Sequence, residues 1–210
     1  MIEYWEDSFK KMQTMWGFTP SDSAILANDF FIKNKIKNIL IPGIGYGRNA
    51  KIFIENGIKV TGIEISETAI ELAKIDNKIN IEIFKGSVTD MPFDSNLYDG
   101  IFCYSLLHLL NKNERKKFIK DCYKQLRMNA YMIFTVVSKE ASMYGEGKEL
   151  SNDRFKIWNG LSVFFYDENS IKKEFENFGL MEFTKIDEPI KHLVNEPPLK
   201  CYLIKCKREK

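Results

Sequence analysis

Two features of the sequence have the residue types and spacing of a nucleotide-binding site. Gly43, Gly45 and Gly47 alternate in a turn that follows a short apolar run, 38–41. Glycines at such a turn let main-chain N–H groups approach a ligand at the start of a helix. Glu64 follows Gly45 by 19 residues, close to the spacing at which an acidic side chain meets a ribose. Either feature alone is also typical of a tight turn or a helix-capping acid, but the two together favour a nucleotide ligand.

The segments around these residues alternate between strand and helix patterns. Five apolar runs predict strands, and the segments between and after them predict helices. The predicted strands are 38–41, 58–65, 79–84, 98–104 and 131–137, and the predicted helices are 48–56, 66–76, 113–126 and 167–178. Such alternation predicts a mainly parallel sheet with helices on both faces, because parallel strands need crossover connections.

The remaining segments complete one predicted domain, residues 1–210. Residues 1–35 carry an amphipathic, aromatic pattern and predict an N-terminal helical cap. Residues 138–166 are polar, contain glycine and have no clear period, so we interpret them as a lid or substrate insertion. Two late strands, 181–186 and 199–206, suit an antiparallel pair. The expected fold is therefore a Rossmann-like, doubly wound α/β fold with seven strands, mostly parallel, and an antiparallel C-terminal strand.

Composition excludes several classes of partner. The formal net charge is +2, and Lys and Arg are spread along the chain, so we expect no nucleic-acid partner. The N-terminus lacks a signal-peptide pattern and no run is apolar enough to span a bilayer, which predicts a cytoplasmic protein without membrane contact. The four cysteines are isolated from one another, so we expect free thiols and no metal site.

Four motifs, in this order, resemble those of the class I S-adenosylmethionine-dependent methyltransferases. The similar segments are Ile39–Gly47, Val60–Ser66, Gly86–Phe93 and Tyr98–Ser105, the last followed by Leu106-Leu107-His108. The resemblance extends over nearly the whole stretch from Asn38 to Cys206. It implies that S-adenosylmethionine is the cofactor and that its methyl group passes to an acceptor.

The resemblance also assigns residues to the cofactor. Gly43 and Gly45 would lie against the methionine portion, Glu64 would hold the ribose, and Ser87 with the Val88 amide would address the adenine edge. Tyr104 and Ser105 would border the sulfonium, and the cofactor set also includes Ile44, Tyr46 and Ile65. The chain departs from the family where Ile41 and Ser87 replace frequent acids, and where Met128-Asn129-Ala130 replaces a Pro-Gly-Gly-like turn.

Aromatic residues supply the candidates for acceptor binding. The Pro-Gly form of the first motif, with Tyr4-Trp5 and Trp16-Gly17-Phe18, is similar to the thiopurine, thiol, halide and tellurite methyltransferase branch. We therefore predict that Tyr4, Trp5, Trp16 and Trp158 contact the acceptor, although the N-terminal aromatics are as typical of a helix packed on a sheet. His108 is the candidate general base for an amine or hydroxyl acceptor. A histidine packed against the adenosine or capping the next helix is the alternative.

Three other functions remain open from the residues. A nicotinamide-dependent oxidoreductase needs a third glycine where Arg48 stands, and the charge and bulk of Arg48 count against it. A non-catalytic nucleotide-binding or regulatory module would keep the same motifs. A methyltransferase of a macromolecule is disfavoured, because 103–106 lacks the Asn/Asp-Pro-Pro-Tyr form and no basic stripe is present. We therefore expect a small-molecule acceptor and a monomer or homodimer.

Overall fold

The computed structural model describes residues 2–75, 81–157, 160–189 and 197–209. Within these ranges the chain forms helices and strands in alternation. The helices are α1 (Ile2–Met12), α2 (Asp22–Lys33), α3 (Ala50–Glu55), α4 (Glu67–Ile75), α5 (Lys112–Gln125) and α6 (Glu168–Phe175). The strands are β1 (Asn38–Pro42), β2 (Lys59–Glu64), β3 (Glu82–Lys85), β4 (Tyr98–Tyr104), β5 (Leu126–Val137), β6 (Lys148–Ser151), β7 (Arg154–Lys156), β8 (Ser162–Phe164), β9 (Leu180–Glu188) and β10 (Leu199–Lys207).

Seven of these strands form one sheet in the order β3-β2-β1-β4-β5-β10-β9. The pairs from β3 to β5 are parallel, and β10 runs antiparallel to both β5 and β9. The predicted fold class is therefore confirmed, including its antiparallel C-terminal strand. The strand order reverses between β1 and β4, where the connections leave on opposite sides of the sheet. Such a reversal opens a crevice at the carboxyl ends of the strands.

The core lies on both faces of this sheet, as the alternation of side chains along the strands requires. In β1, Ile39 and Ile41 pack with Phe53 of α3 on one face. Leu40, between them, joins the opposite cluster with Phe118 of α5. Because both faces are covered by helices, the central strands read as almost continuous apolar runs. This burial makes the carboxyl ends of β1, β2 and β4 a rigid base for a site.

The predicted N-terminal cap consists of two helices with different contacts. Helix α2 packs its buried face, including Phe31, into the core cluster beside the sheet. Helix α1 instead reaches the N-terminus of α4, where the Glu6 carboxylate accepts hydrogen bonds from Ser66 Oγ and Thr68 Oγ1, both at 2.7 Å. The Thr68 and Ser66 side-chain hydrogen bonds lower the pKa of Glu6 to about 2. An ionised Glu6 therefore anchors α1 beside the carboxyl end of β2.

Strand β5 begins earlier than the sequence predicted, at Leu126 and not at Tyr131. Asn129 has a φ of +65° within it, and the N–H of Asn129 donates to the carbonyl of Arg208 at 2.8 Å. Asparagine tolerates this left-handed conformation better than most residues. The Met128–Ala130 segment, expected as a turn before the strand, is thus an irregular part of the strand itself.

The 138–166 insertion contains a small sheet that the sequence did not predict. Strands β6, β7 and β8 form an antiparallel sheet of their own. Its strands have three or four residues each, too few for an alternating pattern to be recognised.

Strand β3 also starts later than expected, and residues 76–80 before it lie outside the described ranges. No helix within those ranges has the length and apolar character needed to cross a bilayer.

Candidate active site

A cavity of about 390 Å³ opens at the carboxyl ends of β1, β2 and β4. This volume lies within the range of roughly 300–1,000 Å³ that is usual for small-molecule sites. The cavity is lined by Trp5, Phe9, Trp16, Gly43, Ile44, Gly45, Tyr46, Arg48, Asn49, Ile63, Glu64, Ile65, Gly86, Ser87, Val88, Thr89, Tyr104, Ser105, Leu106, Leu109, Leu110, Glu114 and Leu199. The structure thus brings all ten residues of the expected cofactor set to one cavity, together with Trp5 and Trp16.

The glycine turn and Glu64 are joined directly. The Glu64 carboxylate accepts hydrogen bonds from the N–H groups of Gly45 and Ile65, both at 2.8 Å, and of Ser66 at 2.9 Å. Gly43 and Gly45 have φ values of +70° and +58°, in the region that favours glycine. A Cβ on Gly43 would collide with the side chain of Leu106. The left-handed backbone thus favours glycine at both positions, and at Gly43 a Cβ would also displace Leu106.

The electrostatic state of Glu64 reflects two opposing effects. Burial raises its pKa, while the three main-chain N–H donors lower it. A carboxylate offers about four acceptor positions, and the main chain occupies three of them. One acceptor position on Glu64 therefore remains for a donor such as a ribose hydroxyl, which fits a nucleoside ligand.

The β3 end of the cavity is formed by a short 3-10 turn, Val88–Asp90. The Ser87 hydroxyl caps this turn: it accepts from the N–H of Thr89 at 3.2 Å and lies 2.7 Å from Thr89 Oγ1. Its hydrogen-bonding capacity is thus largely used within the turn. Ser87 lines the cavity as predicted, but its side chain has a local structural role.

The wall of the cavity beside the glycine turn is aromatic. Trp16 stacks on Tyr46 with ring centroids 6.1 Å apart, and Phe9 packs edge-on against both rings. Arg48 donates through Nη1 to the Trp16 carbonyl at 3.1 Å, and its guanidinium lies 5.7 Å from the Tyr104 ring centroid. Residues next to the glycine turn therefore hold the N-terminal segment against the cavity.

Ser105 marks the end of β4 with an unusual backbone. Its φ is +49°, although it is not glycine, and its N–H donates to the Thr135 carbonyl at 3.1 Å. Residues in this region are uncommon and often mark functional sites. Tyr104, Ser105 and Leu106 all line the cavity at this turn.

Two predicted site residues within the described ranges, Tyr4 and His108, do not line the cavity. Tyr4 lies beside it, half-buried and edge-on against Trp5 at 5.2 Å. His108 is buried, and its Nδ1 accepts a hydrogen bond from the Val137 N–H at 3.4 Å. Burial lowers the pKa of His108 to about 3, so the ring is a neutral core group, and its position gives no support to a role as general base. Trp158 lies outside the described residues.

Sequence reasoning did not assign several residues that the structure places in the cavity wall. These are Phe9, Arg48, Asn49, Ile63, Gly86, Thr89, Leu106, Leu109, Leu110, Glu114 and Leu199. Asn49, Thr89 and Leu106 adjoin recognised motifs, so their sequence position was a usable signal. Leu199 and Glu114 come from distant elements, and only the fold brings them there.

Among the described residues no cluster of His, Cys, Asp or Glu has the arrangement of a metal site.

The comparisons with known proteins agree with this geometry. A family model described as a methyltransferase domain matches residues 40–134. A protein of Geobacillus sp. (strain WCH70) that is named as a methyltransferase is 31% identical over 106 residues, which cover 49% of this chain and 43% of that protein. A ubiquinone biosynthesis O-methyltransferase of Coxiella burnetii is 23% identical over 147 residues, which cover 69% of this chain and 61% of that enzyme.

A solved structure has a similar fold. It is the Burkholderia thailandensis 1,6-didemethyltoxoflavin-N1-methyltransferase with bound 1,6-didemethyltoxoflavin and S-adenosylhomocysteine. The TM-score is 0.76 at 13% identity, and the alignment covers 100% of this chain and 87% of that one. The chain spans less than two thirds of the length of the two sequence relatives.

The sheet order, the glycine turn and the buried acid are those of a nucleotide-binding α/β domain. Together with the methyltransferase-domain match over residues 40–134, they support the class I S-adenosylmethionine-dependent methyltransferases as the family of this chain and S-adenosylmethionine as its cofactor.

Proposed function

We propose that this protein transfers the methyl group of S-adenosylmethionine to a small molecule with an apolar or aromatic body. One observation carries the proposal: a single cavity is lined both by the Gly45–Glu64 pair and by the aromatic side chains of Trp5, Phe9 and Trp16. The first part suits an adenosyl group, and the second suits an apolar acceptor beside it.

The residues in the cavity fit the parts of the cofactor. The glycine turn presents main chain without side chains to the cavity, and Glu64 keeps one acceptor position for a ribose hydroxyl. Tyr104 and Ser105, at the end of β4, lie where the sheet order reverses, so we assign them to the border of the sulfonium. Ile44, Tyr46, Ile65 and Val88 complete the proposed cofactor set.

The proposed reaction is an in-line displacement. A lone pair of the acceptor atom forms a bond to the methyl carbon, the carbon–sulfur bond breaks, and its electrons stay on sulfur, giving S-adenosylhomocysteine. The protein's task is to align the two reactants, and such positioning is worth roughly 7–11 kcal/mol. A thiol, whose usual pKa is about 8.5, needs little help from a base. An amine or hydroxyl acceptor must also lose a proton. That proton would go to water or to a residue other than the proposed cofactor-binding residues.

The aromatic wall of the cavity favours a small acceptor over a macromolecule. Trp5 and Trp16 lie against each other with ring centroids 6.2 Å apart, and Tyr46 and Arg48 hold this segment in place. The sequence relative and the solved structure named above, which act in ubiquinone biosynthesis and on 1,6-didemethyltoxoflavin, also support a small acceptor. Membership of the thiopurine, thiol, halide and tellurite branch stays a prediction.

Mass spectrometry can test the proposal. The purified protein would be incubated with S-adenosylmethionine and a panel of aromatic thiols, amines and phenols, and products would be compared with those of Glu64→Ala. We expect a mass increase of one methylene on at least one small acceptor, and S-adenosylhomocysteine in equal amount. Methyl label found only in RNA or protein after incubation with a cell extract would refute a small-molecule acceptor. Cofactor binding without methylated product would favour a regulatory module.

A further inference from the structure

Arg48 brings a positive charge into the cavity wall, directly after the glycine turn. It is the only cationic side chain among the described lining residues, and no ion pair within the described part of the chain includes it. A guanidinium offers five N–H donors, and the hydrogen bond to the Trp16 carbonyl uses one of them. Arg48 therefore keeps donors and charge for a bound anion.

Two contacts fix where this charge lies. The hydrogen bond to the Trp16 carbonyl, at 3.1 Å, joins Arg48 to the aromatic N-terminal segment. The guanidinium carbon also lies 5.7 Å from the ring centroid of Tyr104, at the end of β4. Under the proposed function, Trp16 contacts the acceptor and Tyr104 borders the sulfonium. The guanidinium is thus held between the residues that we assign to the two reactants.

The titratable groups near Arg48 do not neutralise it. Burial and the charge of Glu188 raise the pKa of Tyr104 to about 12, and burial raises the pKa of Tyr46, so both phenols are neutral near pH 7. Burial likewise raises the pKa of the Cys201 thiol to about 12. The Glu188 carboxylate accepts hydrogen bonds from two main-chain N–H groups at the start of α2, at 2.9 and 3.0 Å. An anion that pairs with Arg48 therefore has to come from a ligand.

The charges of the reaction restrict the identity of that anion. The cofactor's sulfonium is positive, and a second cation beside it is unfavourable unless a negative charge lies close to both. Methyl transfer to an anion leaves neither reacting atom charged, whereas a neutral amine would become a cation beside Arg48. His108 is buried and neutral, and Glu64 is bound to the glycine turn, so neither serves as a base. An acceptor that is already ionised needs none.

We propose that Arg48 binds the acceptor as an anion, and that the acceptor is an aromatic thiol or phenol that reacts as its thiolate or phenolate. This inference rests on the proposed function, because it assumes that the sulfonium lies at Tyr104. The acceptor loses its proton to water before the transfer. A lone pair of its sulfur or oxygen then bonds to the methyl carbon, and the electrons of the broken carbon–sulfur bond stay on the cofactor's sulfur. The guanidinium stabilises the anion and so lowers the pKa of the bound acceptor.

Calorimetry with S-adenosylmethionine and S-adenosylhomocysteine tests where the charge lies. The two ligands differ in the sulfonium methyl group, so Arg48 should weaken binding of the first relative to the second. In Arg48→Gln, which keeps an N–H donor for the Trp16 carbonyl, the affinity for S-adenosylmethionine relative to S-adenosylhomocysteine should rise roughly three- to tenfold. The affinity for S-adenosylhomocysteine itself should stay close to that of the wild type. Its loss would assign Arg48 to the cofactor's carboxylate and overturn the inference.

The pH dependence of turnover tests the class of acceptor. Thiophenol, phenol and aniline share one ring and differ in the nucleophilic atom, and the wild type should methylate the thiol or the phenol but not aniline. The profile of kcat against pH reports ionisation in the bound complex. In Arg48→Gln it should move by about 1 pH unit to higher pH, so that turnover falls about tenfold on the acid side and recovers in base. Arg48→Lys keeps the charge and should keep the wild-type profile.

Lys51→Gln is the matched control, because Lys51 is an exposed cation of α3 that does not line the cavity. It should keep the ligand preference and the pH profile, and thermal unfolding should show that all the variants fold. An unchanged ligand preference or pH profile in folded Arg48→Gln, or methylation of aniline as well as thiophenol, would overturn this inference alone. If the wild-type protein bound neither calorimetric ligand, the proposed function would fall, and this inference with it.

Discussion

The phenol oxygen of Tyr46 accepts a hydrogen bond from the main-chain N–H of Trp16 at 3.0 Å and donates one to the carbonyl of Gly17 at 2.8 Å. Tyr46 belongs to the glycine turn, which we assign to the cofactor, and Trp16 belongs to the N-terminal segment, which we assign to the acceptor. Their rings are nearly parallel, with an interplanar angle of 11°. The two hydrogen bonds and the stacked rings therefore hold the N-terminal segment against the glycine turn.

Replacing Tyr46 by Phe should loosen this segment. The variant loses both hydroxyl bonds but keeps the stacked ring, so we expect the free energy of unfolding to fall by about 1 kcal/mol. Binding of S-adenosylhomocysteine should weaken roughly two- to tenfold, because the cavity wall must then be ordered on binding. Urea unfolding and calorimetry measure the two effects. Tyr144→Phe is the control: its hydroxyl bonds Asp153 in the insertion, so its loss should leave ligand affinity unchanged.

Comparing Gly43→Ala with Gly57→Ala separates the energetic cost of the backbone conformation from the cost of a steric collision. Gly43 and Gly57 both have left-handed φ values, +70° and +75°, but only a Cβ at Gly43 would meet a neighbour, Leu106. Gly57→Ala should therefore cost only the conformational term of about 1–2 kcal/mol. Gly43→Ala should cost more and should also abolish cofactor binding. Equal losses of stability, with binding intact in both variants, would contradict the requirement for bare main chain at Gly43.

The buried state of His108 predicts a pH dependence of stability. Its pKa is about 3 in the folded protein and about 6.5 when unfolded, so the unfolded chain binds the proton preferentially between these values. Stability should therefore fall as the pH drops below 6.5, by about 2 kcal/mol at pH 5. His108→Gln should remove this part of the dependence, as measured by urea unfolding at pH 5 and pH 7.5. Its turnover near neutral pH should remain, and complete loss of turnover in a folded variant would restore His108 as a candidate base.

Much of the fold was predictable from the sequence because its signals are local. Apolar runs, the glycine turn and helix caps each act over a few residues, and their alternation dictates the parallel sheet. Gly57 and Gly179 directly follow the predicted helices 48–56 and 167–178, and both have the left-handed φ that ends a helix. The spacing of Gly45 and Glu64 likewise predicted two residues that meet across neighbouring strands.

The sequence was less informative where tertiary contacts decide. The sequence around His108 did not show that the ring would be buried against Val137, away from the cavity. Ser87 was assigned to the ligand by motif position, but its hydroxyl is used inside its own turn. Glu114 carried no signal, because an acid in the first turn of a helix is normally a cap. The role of 138–166 as a lid stays a prediction.

The most direct test of the account is calorimetric titration of wild-type and Glu64→Ala protein with S-adenosylhomocysteine. We predict binding by the wild type and a loss of roughly 10- to 100-fold in Glu64→Ala, since the ribose loses its acceptor and the Gly45, Ile65 and Ser66 N–H groups lose theirs. Glu55→Ala, an exposed acid at the end of α3, should bind as the wild type does. No uptake by the wild type, or equal affinity in folded Glu64→Ala, would contradict the assignment.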